Sequence, residues 1–194
     1  MRSKVLLLNR DGQPMDWISQ EEAIHYHATE KVIFQIGRED QFVFRGGFNR
    51  PKNTMSVLAT APIIAVDGSS QDKTYKIPTI SNRILFQRDE HRCGYCGRKF
   101  SSGQLTRDHI VARSRGGKDE WNNIIACCKY HNNIKDNMTL EECGLELLFE
   151  PYTPTFSEVL YLREPISSLP IQTEYLMNFF PQQSRIRNRA AEWI

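Results

Sequence analysis

The sequence predicts an α+β fold, in which short strands and short helices share a chain of 194 residues. Short apolar, β-branched runs have the length and composition of strands. Two segments, beginning at Ser19 and Thr139, have the Ser/Thr-x-x-Glu pattern that opens a helix. Two pairs of cysteine and histidine residues in the middle of the chain have the spacing of a structural zinc site. These observations predict a small mixed domain whose centre is held by a metal ion.

The first part of the chain is predicted to contain both strands and a helix. Residues 4–9 form a strand that ends at a turn-forming Asp-Gly pair. Ser19 is the expected N-cap of a helix that runs to about Thr29, with Glu22 at its third position. Three later segments have the composition of strands: 31–35, 41–45 and 56–66. Pro62 lacks a backbone N–H, so the last of these is an edge strand or is interrupted.

The rest of the chain is predicted to hold helices on both sides of the cysteines. The polar segment 67–73 is a predicted linker or long loop. Ser81 can cap a helix through Arg88, and Thr139 opens a helix of about 140–148. The tail is rich in proline and is expected to form short helices. The predicted division is a mixed α/β N-terminal lobe at 1–80, a central domain at 81–150 and a C-terminal extension at 151–194.

The charge distribution points to one segment as a phosphate-facing surface. The net charge of the whole chain is only +2. Between Arg83 and Lys135, however, eleven basic and five acidic residues leave a net charge of +6, so the remainder is near −4. Within this segment four residues are predicted to bind nucleic acid: Arg107, Arg113, Arg115 and Lys118. The alternative for the last three is a solvated basic surface, which is what charge runs usually form.

The composition also predicts where the protein works. The apolar run at residues 5–8 is too short for a secretory signal, and no run approaches the roughly 20 apolar residues of a membrane span. The expectation is a cytoplasmic protein with no membrane association. In a reducing compartment, five cysteines indicate metal binding or isolated core thiols.

The cysteines and a histidine predict a zinc site. Cys93 and Cys96 stand in C-x2-C spacing, and Cys128 and His131 follow in C-x2-H spacing after 31 intervening residues. Four protein ligands close the coordination sphere, so this zinc would be structural. The alternative is that Cys127 and Cys128 are small core residues. If Cys128 is a ligand, the Cys127 side chain should point away from the metal.

Polar residues in and just after the segment between the two pairs have chemistry that fits phosphodiester hydrolysis. A histidine can accept a proton from water near neutral pH, which is a role for His109. Carboxylate and amide oxygens suit Mg²⁺ or Mn²⁺, and Asp108 and Asn132 offer them from opposite ends of the loop. Such a cation stabilises charge on the phosphate and on the leaving alkoxide.

The order of these residues resembles the HNH endonuclease family. The chain has CxxC, then Asp108-His109 with a Gly-Gly pair downstream, then W-x-N ending at Asn123, then C-x-x-H-N-x-x-K ending at Lys135. The resemblance covers about residues 92–139. It implies a ββα-metal (His-Me finger) core: two antiparallel strands, with Asp108-His109 near the end of the first, then a helix.

The resemblance also implies a role for each residue of the pattern. His109 would be the general base, Asp108 and Asn132 the ligands of the catalytic metal, and Asn123 the residue that organises the loop and orients the base. Lys135 would contact a phosphate oxygen. His131 stands where the family usually has cysteine, so His131 is either the fourth zinc ligand or the third catalytic residue.

The function that follows is a divalent-metal-dependent DNA endonuclease, with DNA favoured over RNA. One alternative is a zinc-knuckle module that binds nucleic acid without cutting it. Another is a nuclease subunit directed by a partner protein or a guide RNA. A single site of this type cuts one strand, so cutting both strands requires repeated nicking or a homodimer.

Overall fold

A computed structural model of the chain describes residues 4–50, 53–67, 77–164 and 169–191. The chain forms two compact units. The discontinuous unit comprises Met1–Lys76 and Phe156–Ile194, and the central unit comprises Ile77–Thr155. The predicted C-terminal extension is thus found, from residue 156 onward, in the same unit as the N-terminal strands. The predicted linker at 67–73 lies outside the described residues, apart from Asp67.

The discontinuous unit is built on a four-stranded mixed sheet. Its strands are β1 (Val5–Leu8), β2 (Pro14–Ile18), β3 (Val32–Ile36) and β6 (Ile63–Val66), in the order β2-β1-β6-β3. The two central strands, β1 and β6, run parallel and every one of their residues is buried. This explains why both are continuous apolar runs, since a central strand covered on both faces needs no polar alternation.

A separate two-stranded ribbon extends from this unit. It consists of β4 (Phe42–Asn49) and β5 (Thr54–Thr60), which pair antiparallel. The predicted strand at 56–66 is therefore two strands in two sheets. Pro62 is the cause, because it has no N–H to donate and the chain changes sheet there. The strand β2 was not predicted from the sequence.

Among the described residues, four helices belong to the discontinuous unit. Helix α1 (Gln20–Ala28) has the predicted capping box between Ser19 and Glu22, which is confirmed. Helices α5 (Phe156–Arg163), α6 (Pro170–Met177) and α7 (Ile186–Ala191) form the tail. The buried amide of Gln172 donates to the carbonyls of Lys4 (2.8 Å) and Pro62 (2.7 Å), so α6 satisfies backbone groups at the start of the central strands.

The central unit has a two-stranded sheet flanked by short helices. Helix α2 (Asn82–Arg88) is capped by Ser81 as predicted. Strands β7 (Leu105–His109) and β8 (Ile124–Cys128) pair antiparallel, and helix α3 (Lys129–Lys135) follows β8 directly. Short 3-10 turns precede β7 and β8. No helix among the described residues has the length and apolar character needed to cross a membrane.

The helix predicted at 140–148 is much shorter than expected. Its capping box at Thr139 is present, but α4 covers only Leu140–Cys143. Gly144 adopts a left-handed conformation (φ 66°) and ends the helix. Beyond it, Leu145, Leu147 and Phe149 pack against the core around the cysteines. Burial of these side chains outweighs the propensity of the segment to continue as a helix.

A buried ion pair fixes β8 to the core of the central unit. Arg88 donates two hydrogen bonds to Asp89, and its other N–H groups donate to the carbonyls of Trp121, Ile124 and Tyr152. Asp89 in turn accepts from the N–H of Ala126. A buried guanidinium is tolerated because its donors all find acceptors of this kind.

Candidate active site and metal centre

The two predicted pairs of zinc ligands meet at one end of the β7–β8 sheet. Cys93 and Cys96 lie on a tight turn, Cys128 ends β8, and His131 lies in the first turn of α3. The ligand atoms of these four residues all lie within 4.8 Å of one another. We refer to them as the Cys/His cluster.

The spacing within the cluster fits a tetrahedral zinc ion. Nδ1 of His131 lies 3.2 Å from Sγ of Cys128 and 3.8 Å from Sγ of Cys93. Tetrahedral zinc with typical bond lengths places sulfur and nitrogen ligands about 3.6 Å apart, between these two values. The four side chains can therefore hold zinc with little movement, and Nδ1 is the histidine atom that faces the cysteine sulfurs.

Cys127 lies outside this group of four. Its side chain is fully buried, and Sγ lies 3.3 Å from the carbonyl oxygen of Cys128. A hydrogen bond with Cys127, aided by backbone N–H groups, lowers the pKa of Cys93 to about 3. A lowered thiol pKa favours the thiolate, which is the form that binds metals.

Asp108 lies on the inner face of β7, nearly fully buried. The hydroxyl of Tyr95 donates to its Oδ2 at 2.5 Å, and Nζ of Lys135 lies 3.5 Å from Oδ1. Burial raises the pKa of Asp108, although the Tyr95 hydrogen bond and the Lys135 charge act to lower it. Burial and the neighbouring carboxylate also raise the pKa of Tyr95, so the phenol stays protonated as the donor.

His109 faces the opposite side of β7, where it meets a carboxylate that the sequence analysis did not single out. Nε2 of His109 lies 3.0 Å from Oδ1 of Asp119. Arg107 shares this face and donates to both oxygens of Asp119, at 3.0 and 3.1 Å. Desolvation raises the pKa of Asp119, but the hydrogen bonds from Arg107 and His109 outweigh it and hold that pKa below its usual range.

Asn123 closes the loop between the strands. Its Oδ1 accepts from the N–H of Val111, and its Nδ2 donates to the carbonyls of Val111 and Lys118. Gly117 allows the close approach, because a Cβ there would lie 1.7 Å from the carbonyl oxygen of Val111. The loop that follows His109 is thereby fixed by one side-chain amide.

Helix α3 brings Lys135 to the end of β7. Lys135 is fully buried and its ammonium donates to the carbonyl of His109 at 2.8 Å. With Asp108 nearby, the ammonium has two partners inside the unit, where the sequence analysis expected a phosphate oxygen. Asn132 lies three residues before Lys135, on the same face of the helix, and is half-buried.

The comparison with known protein families matches this part of the chain. The sequence model of the HNH endonuclease family matches residues 93–138. These residues are an HNH domain. The match begins at the first cysteine of the Cys/His cluster and ends just after α3. A search of curated proteins finds no match to the chain. An HNH domain implies nuclease activity, and nucleases of this family act on nucleic acids.

The basic residues of the HNH domain differ in their surroundings. Arg115 forms a bidentate ion pair with Glu142. Nζ of Lys118 lies 3.9 Å from Oε1 of Glu120. Arg107 is bound to Asp119 and also donates to Oδ1 of Asn82. Arg113 is exposed. Two of the four predicted nucleic-acid contacts, Arg107 and Arg115, therefore take part in close ion pairs within the unit.

Two side chains of the HNH domain that contact the predicted site residues were missed by the sequence analysis. Tyr95 lies between the two cysteines of the CxxC turn. That motif predicts a metal site, and it does not predict a hydrogen bond to Asp108. Asp119 lies ten residues after His109, across a loop in which no helical or strand periodicity relates the two side chains. The sequence feature that could have indicated Asp119 is its position just after the Gly-Gly pair. Only the geometry of the loop shows that its partner is His109.

Proposed function

We propose that the protein is a divalent-metal-dependent DNA endonuclease that hydrolyses phosphodiester bonds with His109 as its general base. Asp108 and Asn132 would hold the catalytic cation, Mg²⁺ or Mn²⁺. Zinc in the Cys/His cluster would be structural. The observation that carries the proposal is the contact between His109 and Asp119, next to the buried carboxylate of Asp108.

The contact with Asp119 supports one tautomer of His109. Because the pKa of Asp119 is lowered, its carboxylate is ionised at neutral pH and can only accept hydrogen bonds. In the neutral ring, Nε2 of His109, at 3.0 Å, would be the nitrogen that carries the hydrogen and donates to Asp119. The other nitrogen, Nδ1, would then keep its lone pair, which a general base needs to take a proton from water.

The donors near Asp108 fit a hard divalent cation. Each carboxylate oxygen has one partner, Tyr95 or Lys135, and retains a further lone pair. Burial raises the pKa of this carboxyl. The positive charge of Lys135 therefore does not fully offset the cost of burying the negative charge of Asp108. The Asn132 amide adds a neutral oxygen. When bound, Mg²⁺ or Mn²⁺ supplies Lewis-acid stabilisation of the phosphate and the leaving oxygen.

Asp108 and His109 act from opposite faces of one strand. Adjacent strand residues point to opposite sides, which is why Asp108 meets Tyr95 whereas His109 meets Asp119. His109 is the last residue of β7, so both groups lie where the strand ends and the loop begins. Lys135 and Asn123 hold this end in place, one through the carbonyl of His109 and the other through the loop at Val111. We assign both as positioning residues.

The proposed reaction is a single displacement at phosphorus. Nδ1 of His109 takes one proton from a water molecule as the water oxygen forms a bond to phosphorus. The bond from phosphorus to the leaving deoxyribose oxygen breaks, and that oxygen is protonated by solvent. Asp119 then stabilises the positive charge on the imidazole ring. A carboxylate plays the same role beside the catalytic histidine of other hydrolases.

Zinc in the Cys/His cluster has no open position for chemistry. Four protein ligands complete a tetrahedral site, so the ion stabilises the fold and does not activate water. It joins the turn at Cys93 to the start of α3, the helix that carries Asn132 and Lys135. The structural zinc would thus set the position of two of the five site residues.

The test is cleavage of a supercoiled plasmid in the presence of Mg²⁺ or Mn²⁺. We expect the parent protein to nick or linearise the plasmid, and His109→Ala to be slower by about 10²- to 10⁴-fold, the usual contribution of a general base. DNA binding by His109→Ala should be retained. The matched control is His25→Ala, an exposed histidine on α1, which should cut like the parent.

The alternatives give different results in the same assay. A zinc-knuckle binding module would bind DNA and leave the plasmid intact in the parent as well as in His109→Ala. A subunit directed by a partner protein or guide RNA would also be inactive alone, and would gain activity when the cellular extract is added back. Cleavage by the parent that survives in His109→Ala would show that another residue is the base.

A further inference from the structure

The ribbon formed by β4 and β5 has one face attached to its unit and one face turned away. Thr60, at the end of β5, is fully buried, and its hydroxyl lies 3.0 Å from Nε2 of His27 on α1. Phe42, opposite Thr60, packs against the core of the discontinuous unit. A two-stranded ribbon is only marginally stable by itself, so these contacts at its base anchor it.

The outward face of the ribbon follows from the strand register. Residues directly opposite in an antiparallel pair share a face, and Arg45 lies opposite Val57. Between Arg45 and Phe48, β4 has two residues where β5 has only Ser56, which makes a β-bulge. The bulge returns Phe48 to the face of Arg45, opposite Met55. Without it, Phe48 would point to the other side.

This outward face is apolar and exposed. Val43, Phe48, Met55 and Val57 are each between 50% and 56% exposed. Scattered exposed apolar side chains are ordinary on a protein surface, but four on one face of a narrow ribbon form a contiguous patch. Such a patch is typical of a surface that binds a partner.

The charge of the ribbon indicates the chemistry of that partner. Residues 41–66 contain Arg45, Arg50 and Lys52 and not one aspartate or glutamate, in a chain that has 23 acidic residues. The side chains of Arg45 and Arg50 are exposed. If a second copy of the chain packed on this face by two-fold symmetry, these arginines would meet the same surface of the copy, which offers no acidic residue from 41–66 to pair with. The patch is therefore suited to an anionic partner.

We propose that the outward face of the β4–β5 ribbon binds duplex DNA in the major groove. That groove is wide enough for a two-stranded ribbon. Arg45 and Arg50 would contact phosphates, and Phe48, Met55 and Val57 would pack against base edges and thymine methyl groups. Duplex RNA would bind less well, because its major groove is deep and narrow. The proposal rests on the proposed function, since the bound duplex would be the substrate of the HNH domain.

The test measures binding of a short fluorescent DNA duplex by anisotropy, over a range of salt concentrations and without Mg²⁺ or Mn²⁺. The double variant Arg45→Gln/Arg50→Gln should bind more weakly, and its plot of log affinity against log salt should be shallower by about 1.8, the loss of two phosphate contacts. Arg38→Gln is the control, since Arg38 is exposed but already paired with Asp40. It should leave the slope unchanged.

A second variant addresses the apolar patch. Phe48→Ser/Met55→Ser should weaken binding of the DNA duplex while leaving the salt slope and the thermal unfolding midpoint unchanged, because both side chains are exposed. A duplex RNA of the same sequence should bind the parent protein more weakly than the DNA. Equal binding of DNA by the parent and by both ribbon variants would overturn the inference. The inference would also be overturned if the parent were a dimer, Phe48→Ser/Met55→Ser were a monomer, and both bound DNA equally well. That result would assign the patch to a second copy.

The two proposals fail in different ways. If the parent cuts the plasmid and the ribbon variants bind DNA normally, the ribbon inference is wrong and the endonuclease stands. If the ribbon variants lose binding but no protein cuts the plasmid, the ribbon inference stands and the endonuclease does not. A parent protein that binds no DNA duplex overturns the ribbon inference whatever its activity.

Discussion

The two ends of the β7–β8 sheet are held in place by different chemistry. At the end where Leu105 pairs with Cys128, three sulfurs and one nitrogen converge on a point that fits a zinc ion. At the other end, where His109 pairs with Ile124, the side chains are held by hydrogen bonds and buried charges. A metal site can be inferred from ligand spacing alone, whereas a hydrogen-bonded site depends on partners from distant parts of the chain.

The difference has a consequence for robustness. If zinc occupies the Cys/His cluster as proposed, loss of one ligand would remove the ion that all four side chains share, so the metal end should fail as a unit. The His109 end is a set of separate contacts, of which some are buried and others are exposed. Removing one of those should produce a graded effect, set by the burial of the group that loses its partner.

The largest effect is expected from loss of zinc. Cys96→Ser should abolish stoichiometric zinc binding and unfold the central unit, because metal binding supplies on the order of 10 kcal/mol to small zinc domains. The measurements are zinc content of the purified protein and thermal unfolding by circular dichroism. The control is Cys143→Ser, since Cys143 ends α4 outside the cluster and should keep its zinc. A folded, zinc-free Cys96→Ser protein that still cuts DNA would contradict a structural role for the metal.

A smaller effect is expected from Lys135→Met, which leaves the buried Asp108 carboxylate without its cation. Removal of one partner of a buried ion pair costs about 3–5 kcal/mol, measured as the free energy of unfolding in urea. Burial already raises the pKa of Asp108, and loss of Lys135 raises it further. A raised pKa in the folded state means that stability falls as pH rises through the acid range. The loss should therefore be smaller at pH 5 than at pH 8.

The control for Lys135→Met is Lys129→Met, at the exposed start of the same helix. It should leave the free energy of unfolding within about 0.5 kcal/mol of the parent, as surface substitutions usually do. Equal destabilisation by the two variants would mean that Lys135 contributes nothing through Asp108 or the His109 carbonyl.

A more modest effect is expected from Asp119→Asn, which replaces the carboxylate that orients His109. We expect a fall in the cleavage rate of about 10- to 100-fold, as is typical when a partner of a site residue is removed. The fold should be retained because Asp119 is half-exposed. A rate equal to that of the parent would show that His109 needs no orienting carboxylate.

The pH dependence of the parent follows from the lowered pKa of Asp119. A carboxyl whose pKa is lower in the folded protein contributes stability above its ordinary pKa, and that contribution is lost as pH falls through the folded value. Asp119 is therefore ionised through the neutral range, and its contact with His109 should weaken only at a pH below the ordinary aspartate range. In Asp119→Asn this acid-dependent loss of stability should be absent in urea unfolding.

The smallest effect is expected from Glu142→Gln. This carboxylate pairs with Arg115 at 2.7 Å, but both side chains are more than 40% exposed. Exposed ion pairs contribute little because water and salt screen them. The thermal unfolding midpoint should not move measurably. Removal of the negative charge beside Arg115 leaves that arginine more available to bind a phosphate. Any change should be tighter DNA binding at low salt, measured by anisotropy.

The sequence by itself determined the features that depend on local pattern. The capping boxes at Ser19 and Thr139 depend on residues three apart, and both are present. The two halves of the Cys/His cluster each lie on one turn, so their spacing predicted which atoms would meet. The HNH motif is continuous enough for the family to be inferred before any coordinates.

Only the tertiary structure decided the features that depend on distant partners. The helix at Thr139 ends at Gly144 because the residues beyond it gain more by packing around the cysteines than by continuing the helix. Lys135 faces inward because α3 packs against β7. A buried ammonium needs acceptors, and it finds them in the carbonyl of His109 and the carboxylate of Asp108. Asp119 reaches His109 because the loop held by Asn123 folds back. Burial and loop closure are long-range effects, and no local pattern of residues encodes them.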